Sequence, residues 1–289
     1  MSRPPTAPTA ADPGPAVVEH LAWMRLRGLS EKTIISREQI IRLLAINTGR
    51  PPLEVTAADL QAWQRMPGWL TLTPATRETY VSHLRMCFRW CADGGLIATN
   101  PAKVLVKPKV PQRKPKPISE ADLTLALSRV PPVVRTWLVL AAYCGLRCAE
   151  IAALAREDVL DGAGLLRVTG KGDKQRYVPL PPAVYAVLLA HGLPEAGPVF
   201  RRDDGSPETG RHISAAGNRW LHRLGISATM HRGRHRFATA FYRDSRDILA
   251  TRDVLGHALV TTTQGYAAPD EQVTVATVHR LSERLAVPA

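Results

Sequence analysis

Residues 165–180 read LLRVTGKGDKQRYVPL, and here the apolar residues stop recurring at helical spacing. Residues 165–170 and 176–180 are short β-prone runs, and the polar turn KGDKQ lies between them. The spacing predicts a small hairpin, and in both directions away from it the pattern turns helical. Upstream, Ser119 with Asp122 three residues on looks like a capping box opening a helix. A helix over 133–144 then ends at Gly145, and another begins near Arg147 and carries Ile151 and Leu154. Downstream of Pro181 helices are expected through Leu189, then over 210–224, 232–243, 247–255, 260–267 and 271–285.

No strand pattern precedes residue 100. An amphipathic run covers 17–27. Ser30 caps a helix over 31–47 whose apolar set is Ile34, Ile35, Ile41, Leu43 and Leu44, and Gly49, Pro51 and Pro52 end it. Thr56 opens a short helix through Trp63. Thr73, with Pro74 at the first helical position, opens a longer one through Tyr80, Leu84, Phe88 and Trp90, closed by Gly94 and Gly95. The expected fold class is mainly α: a helical N-terminal domain, then an α-rich domain with a small antiparallel sheet. The expected boundaries are a disordered tail over 1–15, helical domain over 16–100, linker over 101–117 and second domain over 118–289. That linker holds five Pro and six Lys or Arg, so it reads as an extended basic strap suited to a phosphate backbone.

The 289 residues are 45% hydrophobic, enough for a sizeable core, and the formal net charge is +13. Such an excess speaks to partners, and nucleic acid is the commonest polyanionic one. No run of 18 apolar residues exists, so no membrane span is expected; the Pro/Thr/Ala-rich start does not read as a signal peptide, and a cytoplasmic location follows. Cys87/Cys91 and Cys144/Cys148 are each spaced i, i+4, which fits small buried residues on helix faces better than a zinc site.

Four segments carry chemistry: CGLRCAEIAAL with Arg147, VTGKGDKQRYVPL with Lys171, HRGRHRFAT with His231 and Arg234, and LGHALVTTTQGYA with His257 and Tyr266. Singly each has a plain explanation. Arg147 pairs with Glu150, Lys171 is solvated, HRGRH is a basic patch, and Tyr266 packs. Taken in order, they closely resemble the tyrosine recombinases, the family of phage integrases and Xer recombinases. Its signatures look like G-L-R-x-x-E-L, G-K-G-x-K-x-R-x-V-P-L, H-x-L-R-H-x-F-A-T and L-G-H-x-x-x-x-T-T-x-x-Y. The resemblance covers the second domain and implies a catalytic domain of tyrosine recombinase fold. The first domain matches the family's core-binding (SAM-like) domain in size and helical character only. Two residues depart from the pattern: Gly233, where Leu is usual, is expected to loosen its helix, and Gly265 precedes the tyrosine.

The resemblance implies site-specific recombination of double-stranded DNA by transesterification, and the residue chemistry suits it. Arg147 and Arg234 stay ionised and fork two hydrogen bonds each onto phosphate oxygens. Tyr266, with an ordinary phenol pKa of about 10, needs a base to attack phosphorus. His231 is the natural one. The family assigns Lys171 the proton for the leaving 5′ oxygen, and His257 hydrogen-bonds a non-bridging oxygen. One phosphoester replaces another, so no ATP or other cofactor is expected, and with two arginines to clamp the oxygens and no Asp or Glu cluster suited to Mg²⁺ near them, no metal is expected either. The face of Val275, Val278, Leu281 and Leu285 is expected, from the family, to dock on a neighbouring protomer and build a homo-tetramer on DNA. Accessory proteins are not legible. The expected role is a two-domain integrase of a phage or other mobile element; a Xer-type chromosome dimer resolvase, a DNA-binding protein without catalysis and a type IB topoisomerase are the alternatives.

Overall fold

The computed structural model describes residues 14–111, 116–170 and 173–256. The 1–13 tail, Lys171, and everything from His257 onward, including Tyr266 and the two last expected helices, lie outside the described residues. The chain divides between Gln112 and Arg113 into two compact units.

The first unit holds α1 (Pro15–Leu26), α2 (Glu31–Thr48), α3 (Ala57–Arg65), α4 (Pro67–Leu70) and α5 (Pro74–Asp93). Its caps follow the sequence. The Ser30 hydroxyl accepts the Thr33 N–H, and Thr73 accepts that of Thr76. Thr56 and Asp59 form a reciprocal capping box. Gly49 ends α2 in the left-handed region at φ 64°. The short α4 was not expected; Pro67 restarts the helix after the break at Met66.

The apolar set of α2 needs one correction. Ile34 and Ile41 are buried as expected, but Ile35 is 48% exposed and Ile40 takes its place in the core. At about 100° per residue, Ile34, Arg37, Ile40, Ile41 and Leu44 fall on one arc of the helix, and Ile35 lies on the far side from its centre. Beneath this core Arg37 reaches the rings of both His20 and His83. Burial first, and then the Arg37 charge, hold both histidines down at about 4.

The expected linker starts later than its composition suggests. Pro101–Val104 forms a 3-10 turn in which Ala102 is buried, and Leu105 is 1% exposed. Arg85 donates to the Ala102 and Leu105 carbonyls, and the Gln64 side chain pairs with both backbone groups of Val106. Residues 101–106 are therefore packed onto the first unit.

The second unit is built round α7 (Pro132–Tyr143), whose residues are buried on nearly every side. Packed with it are α6 (Glu120–Arg129), α8 (Cys148–Ala153), α9 (Pro182–His191), α10 (Gly210–Arg223), α11 (Met230–Ser245) and α12 (Ile248–Leu255). Ser119 accepts the Asp122 N–H and so caps α6. The hairpin is present as β2 (Leu165–Thr169) and β3 (Gln175–Pro179), antiparallel, with Arg167 opposite Tyr177. A further strand, β1 (Val159–Leu160), pairs with β2 and extends the sheet to three strands. Two residues are too few to show alternation, so β1 left no pattern to read. Cys144 is buried, which pushes its thiol up to about 12; Cys87 and Cys91 are also buried and free, and Cys148 is half-buried.

Gly233 does something other than loosen its helix. It is buried on α11 where that helix meets α7, and a Cβ there would stand 3.5 Å from the Ala141 Cβ and 3.6 Å from the Ala142 nitrogen. A methyl group fits that gap, while a longer side chain meets the α7 backbone. Gly233→Ala should therefore stabilise the chain by about 0.5–1 kcal/mol through helix propensity. A denaturant melt with an unshifted or lowered midpoint would show that the α7–α11 contact is already at its limit.

Candidate active site

Arg147 and Arg234 come from different helices and meet at one carboxylate. Arg147 is the N-cap residue of α8, where Glu150 occupies the third helical position. Glu150 accepts the Arg147 backbone N–H at 2.8 Å and its Nη1 at 2.6 Å. Arg234 lies in the first turns of α11, and its Nη1 stands 3.5 Å from the same carboxylate. A third guanidinium, that of Arg176 on β3, makes a two-pronged pair with Glu150 at 3.0 and 2.9 Å. Arg176 lies on the same strand face as buried Val178, so the pleat turns it inward.

Three guanidinium charges against one carboxylate leave a formal charge of +2 on this cluster. Burial raises the Glu150 pKa, but the hydrogen bonds and charges of Arg176, with Arg147 and Arg234, outweigh it and hold the carboxyl below its ordinary range. The surplus positive charge is what a phosphodiester in transfer would use.

The same arginines close the end of α12. The last carbonyls of a helix have no donor within it. Arg176 Nε donates to Val254 at 2.9 Å, Arg234 Nη2 to Leu255 at 2.6 Å, and Arg147 Nη2 to Gly256 at 3.3 Å. Arg234 Nη1 also donates to the carbonyl of Gly145. Gly145 follows α7 at φ 66°, and a Cβ there would fall 2.4 Å from the Phe237 ring, so both backbone and space demand glycine. Access to the two arginines differs. The Arg147 side chain is 36% exposed, and that of Arg234 only 2%.

His231 and His235 lie one turn apart on α11, with ring centroids 4.5 Å apart. His231 is at the surface. Loss of water round its partly covered ring, and then the charges of Arg234 and Arg147, push its pKa below 6.5. His235 is lowered further, to about 4, by burial and then by the charge of His231. Both rings are neutral at pH 7, and a neutral ring nitrogen is what a general base requires.

Of the six residues expected at the site, the structure gathers Arg147, His231 and Arg234. Lys171, His257 and Tyr266 lie outside the described residues. The sequence reading saw Glu150 only as a surface ion-pair partner and passed over Arg176. Their signals were present: a carboxylate three residues after Arg147, and an arginine at the strand position facing the core. Among the described residues no group of three metal-ligating side chains gathers. Nor is any described helix long and apolar enough to cross a membrane.

A family model described as the phage integrase family matches residues 122–273. Curated relatives include a tyrosine recombinase XerC of Rhodospirillum centenum, 34% identical and covering 85% of this chain and 80% of that protein. Another is a tyrosine recombinase XerC of Brucella suis biovar 1, 30% identical over 92% of this chain and 93% of the relative. Among solved structures, the integrase of the Tn1549 transposon in complex with a circular intermediate DNA has a TM-score of 0.73 at 18% identity. That match covers 92% of this chain and 99% of the other, and it is a likeness of fold.

Proposed function

Because this chain belongs to the phage integrase family and is a tyrosine recombinase, we propose that it exchanges DNA strands through a 3′-phosphotyrosine at Tyr266. Arg147, Lys171, His231, Arg234 and His257 serve the same phosphate. The observation that supports this assignment is the convergence of Arg147 and Arg234 on Glu150, with net positive charge beside a neutral His231.

The step balances without a co-reactant. The Tyr266 oxygen attacks phosphorus while its proton passes to His231. The bond from phosphorus to the 5′ oxygen breaks, and Lys171 protonates the leaving oxygen. Arg147 takes a non-bridging oxygen directly, and His257 hydrogen-bonds the phosphate as well. Arg234 supplies field, and its fork reaches the phosphate once the Leu255 carbonyl gives way. A 5′ hydroxyl from a second strand reverses the attack and completes an exchange. Residues 271–285 would dock on a neighbouring copy to assemble a tetramer, the chain would work in the cytoplasm, and 107–117 would lie along the duplex backbone.

Between an integrase of a mobile element and a Xer-type chromosome dimer resolvase, the names borne by relatives at 30% and 34% identity favour the second. A binder without catalysis and a topoisomerase are separated by one experiment. The full chain is mixed with a pool of nicked duplexes of random sequence, and adducts that survive denaturation are recovered. A defined site attached at Tyr266 is the expected result. Shifted DNA without adduct would leave only binding. Adducts without sequence preference, together with relaxation of plasmid by monomer, would point to a topoisomerase.

The pH dependence follows from His231. Its base form persists below pH 6.5 because its pKa is lowered. At subsaturating DNA the rate constant reports the free chain. It should stay level from neutral pH down to about 6.5 and fall only as pH drops through the lower pKa. An acid limb above that value would remove His231 from the base role.

A further inference from the structure

Arg176 makes three contacts that together reach across the site. Its two terminal nitrogens hold both oxygens of Glu150, and its Nε holds the Val254 carbonyl, 78 positions away in the chain. With Arg234 on Leu255 and Arg147 on Gly256, three guanidiniums take three consecutive carbonyls, and all three share one carboxylate. The fit is close. Gly256 sits at φ 63°, and a Cβ there would fall 2.9 Å from Arg176 Nη1. On its other side Arg176 belongs to the hairpin whose turn carries Lys171. After Gly256 the next residue in the sequence is His257.

We propose that Arg176 is a positioning residue: it ties the hairpin to the C-terminal end of α12, and through Glu150 it sets the aim of Arg147 without itself touching phosphate. This rests on the recombinase reading of the site. Only a guanidinium does this work, because it donates in three directions from one rigid plane. An ammonium at the same place pairs with Glu150 but leaves Val254 unbound. A neutral amide leaves the buried carboxylate to Arg147 and Arg234 alone, and it then pulls their forks away from substrate.

The test uses Arg176→Lys and Arg176→Gln in the full chain. Without DNA, amide hydrogen exchange of the peptide spanning 248–256 should quicken at least about tenfold in both, while peptides from α7 and α10 stay unchanged. With a nicked site recovered by wild-type adduct formation, single-turnover cleavage should slow by about 30-fold or more in both. DNA affinity should stay within about threefold. Wild-type exchange in 248–256 together with wild-type cleavage overturns the proposal. So does a loss confined to affinity, which would make Arg176 a phosphate contact. Loss of cooperative melting in both variants also overturns it, because Arg176 would then be needed for folding alone. If the wild-type chain forms no adduct with any DNA, the recombinase assignment fails instead, and the exchange data still decide whether Arg176 holds the end of α12.

Discussion

Arg234→Ala should destabilise the second unit by about 3–5 kcal/mol and leave no measurable strand cleavage. The side chain is 2% exposed, so its loss opens a cavity that solvent does not readily fill. The carbonyls of Gly145 and Leu255 lose their donor, and buried Glu150 loses one of its three cations. Arg147→Ala makes the useful contrast. Its side chain is 36% exposed, so it should cost far less stability while removing cleavage just as fully. Urea melts and single-turnover assays on the two variants separate the effects. An Arg234→Ala chain within about 1 kcal/mol of wild type would show that the buried cluster is not held in the way its hydrogen bonds indicate. Arg234→Lys should fall between, since an ammonium lacks the fork that gives the Gly145 and Leu255 carbonyls a nitrogen each.

Apart from Arg147, little of this cluster meets water: the side chains of Glu150, Arg176 and Arg234 are nearly all covered. A buried ion group is weak evidence for stability in itself, because desolvation offsets the attraction. Here the arrangement has a second use. Each guanidinium not only balances Glu150 but also receives one end of a secondary-structure element: α7 through Gly145, and α12 through residues 254–256. The charges a phosphate would need are therefore placed by backbone groups, whose positions are set by packing, and not by flexible side chains alone.

The sequence made the helices legible wherever a cap or a glycine marked their ends. Ser30, Thr56, Thr73 and Ser119 each accept an N–H in the first turn, as their residue types imply. The hairpin was legible from two short β-prone runs on either side of a polar turn. What escaped had no local signature. β1 is two residues long, and α4 is one turn. Packing of 101–106 on the first unit depends on Arg85 and Gln64, which come from elsewhere in the chain, so proline content alone read as linker. The site divides differently. Arg147, His231 and Arg234 were legible because motif order carried them. Glu150 and Arg176 had local signals too, but what each does rests on partners distant in sequence, and only the fold brings 150, 176, 234 and 254–256 together.

Tyr266→Phe should reduce adduct formation by at least about 10⁴-fold while leaving DNA affinity and melting temperature close to wild type. The change removes one oxygen, the atom proposed to form the bond to phosphorus. None of the lysines and arginines that would supply electrostatic affinity is altered, so the salt dependence of binding should be the same as for wild type. His231→Gln is the informative companion. A lost general base slows a step by about 10²–10⁴-fold but does not abolish the nucleophile. That variant should still form adduct slowly, with a rate that climbs towards alkaline pH as the phenol ionises by itself. A Tyr266→Phe chain that still becomes covalently attached would mean another nucleophile attacks phosphorus. The field of Arg147 and Arg234 would then serve a different side chain, and the adduct's peptide map would name it.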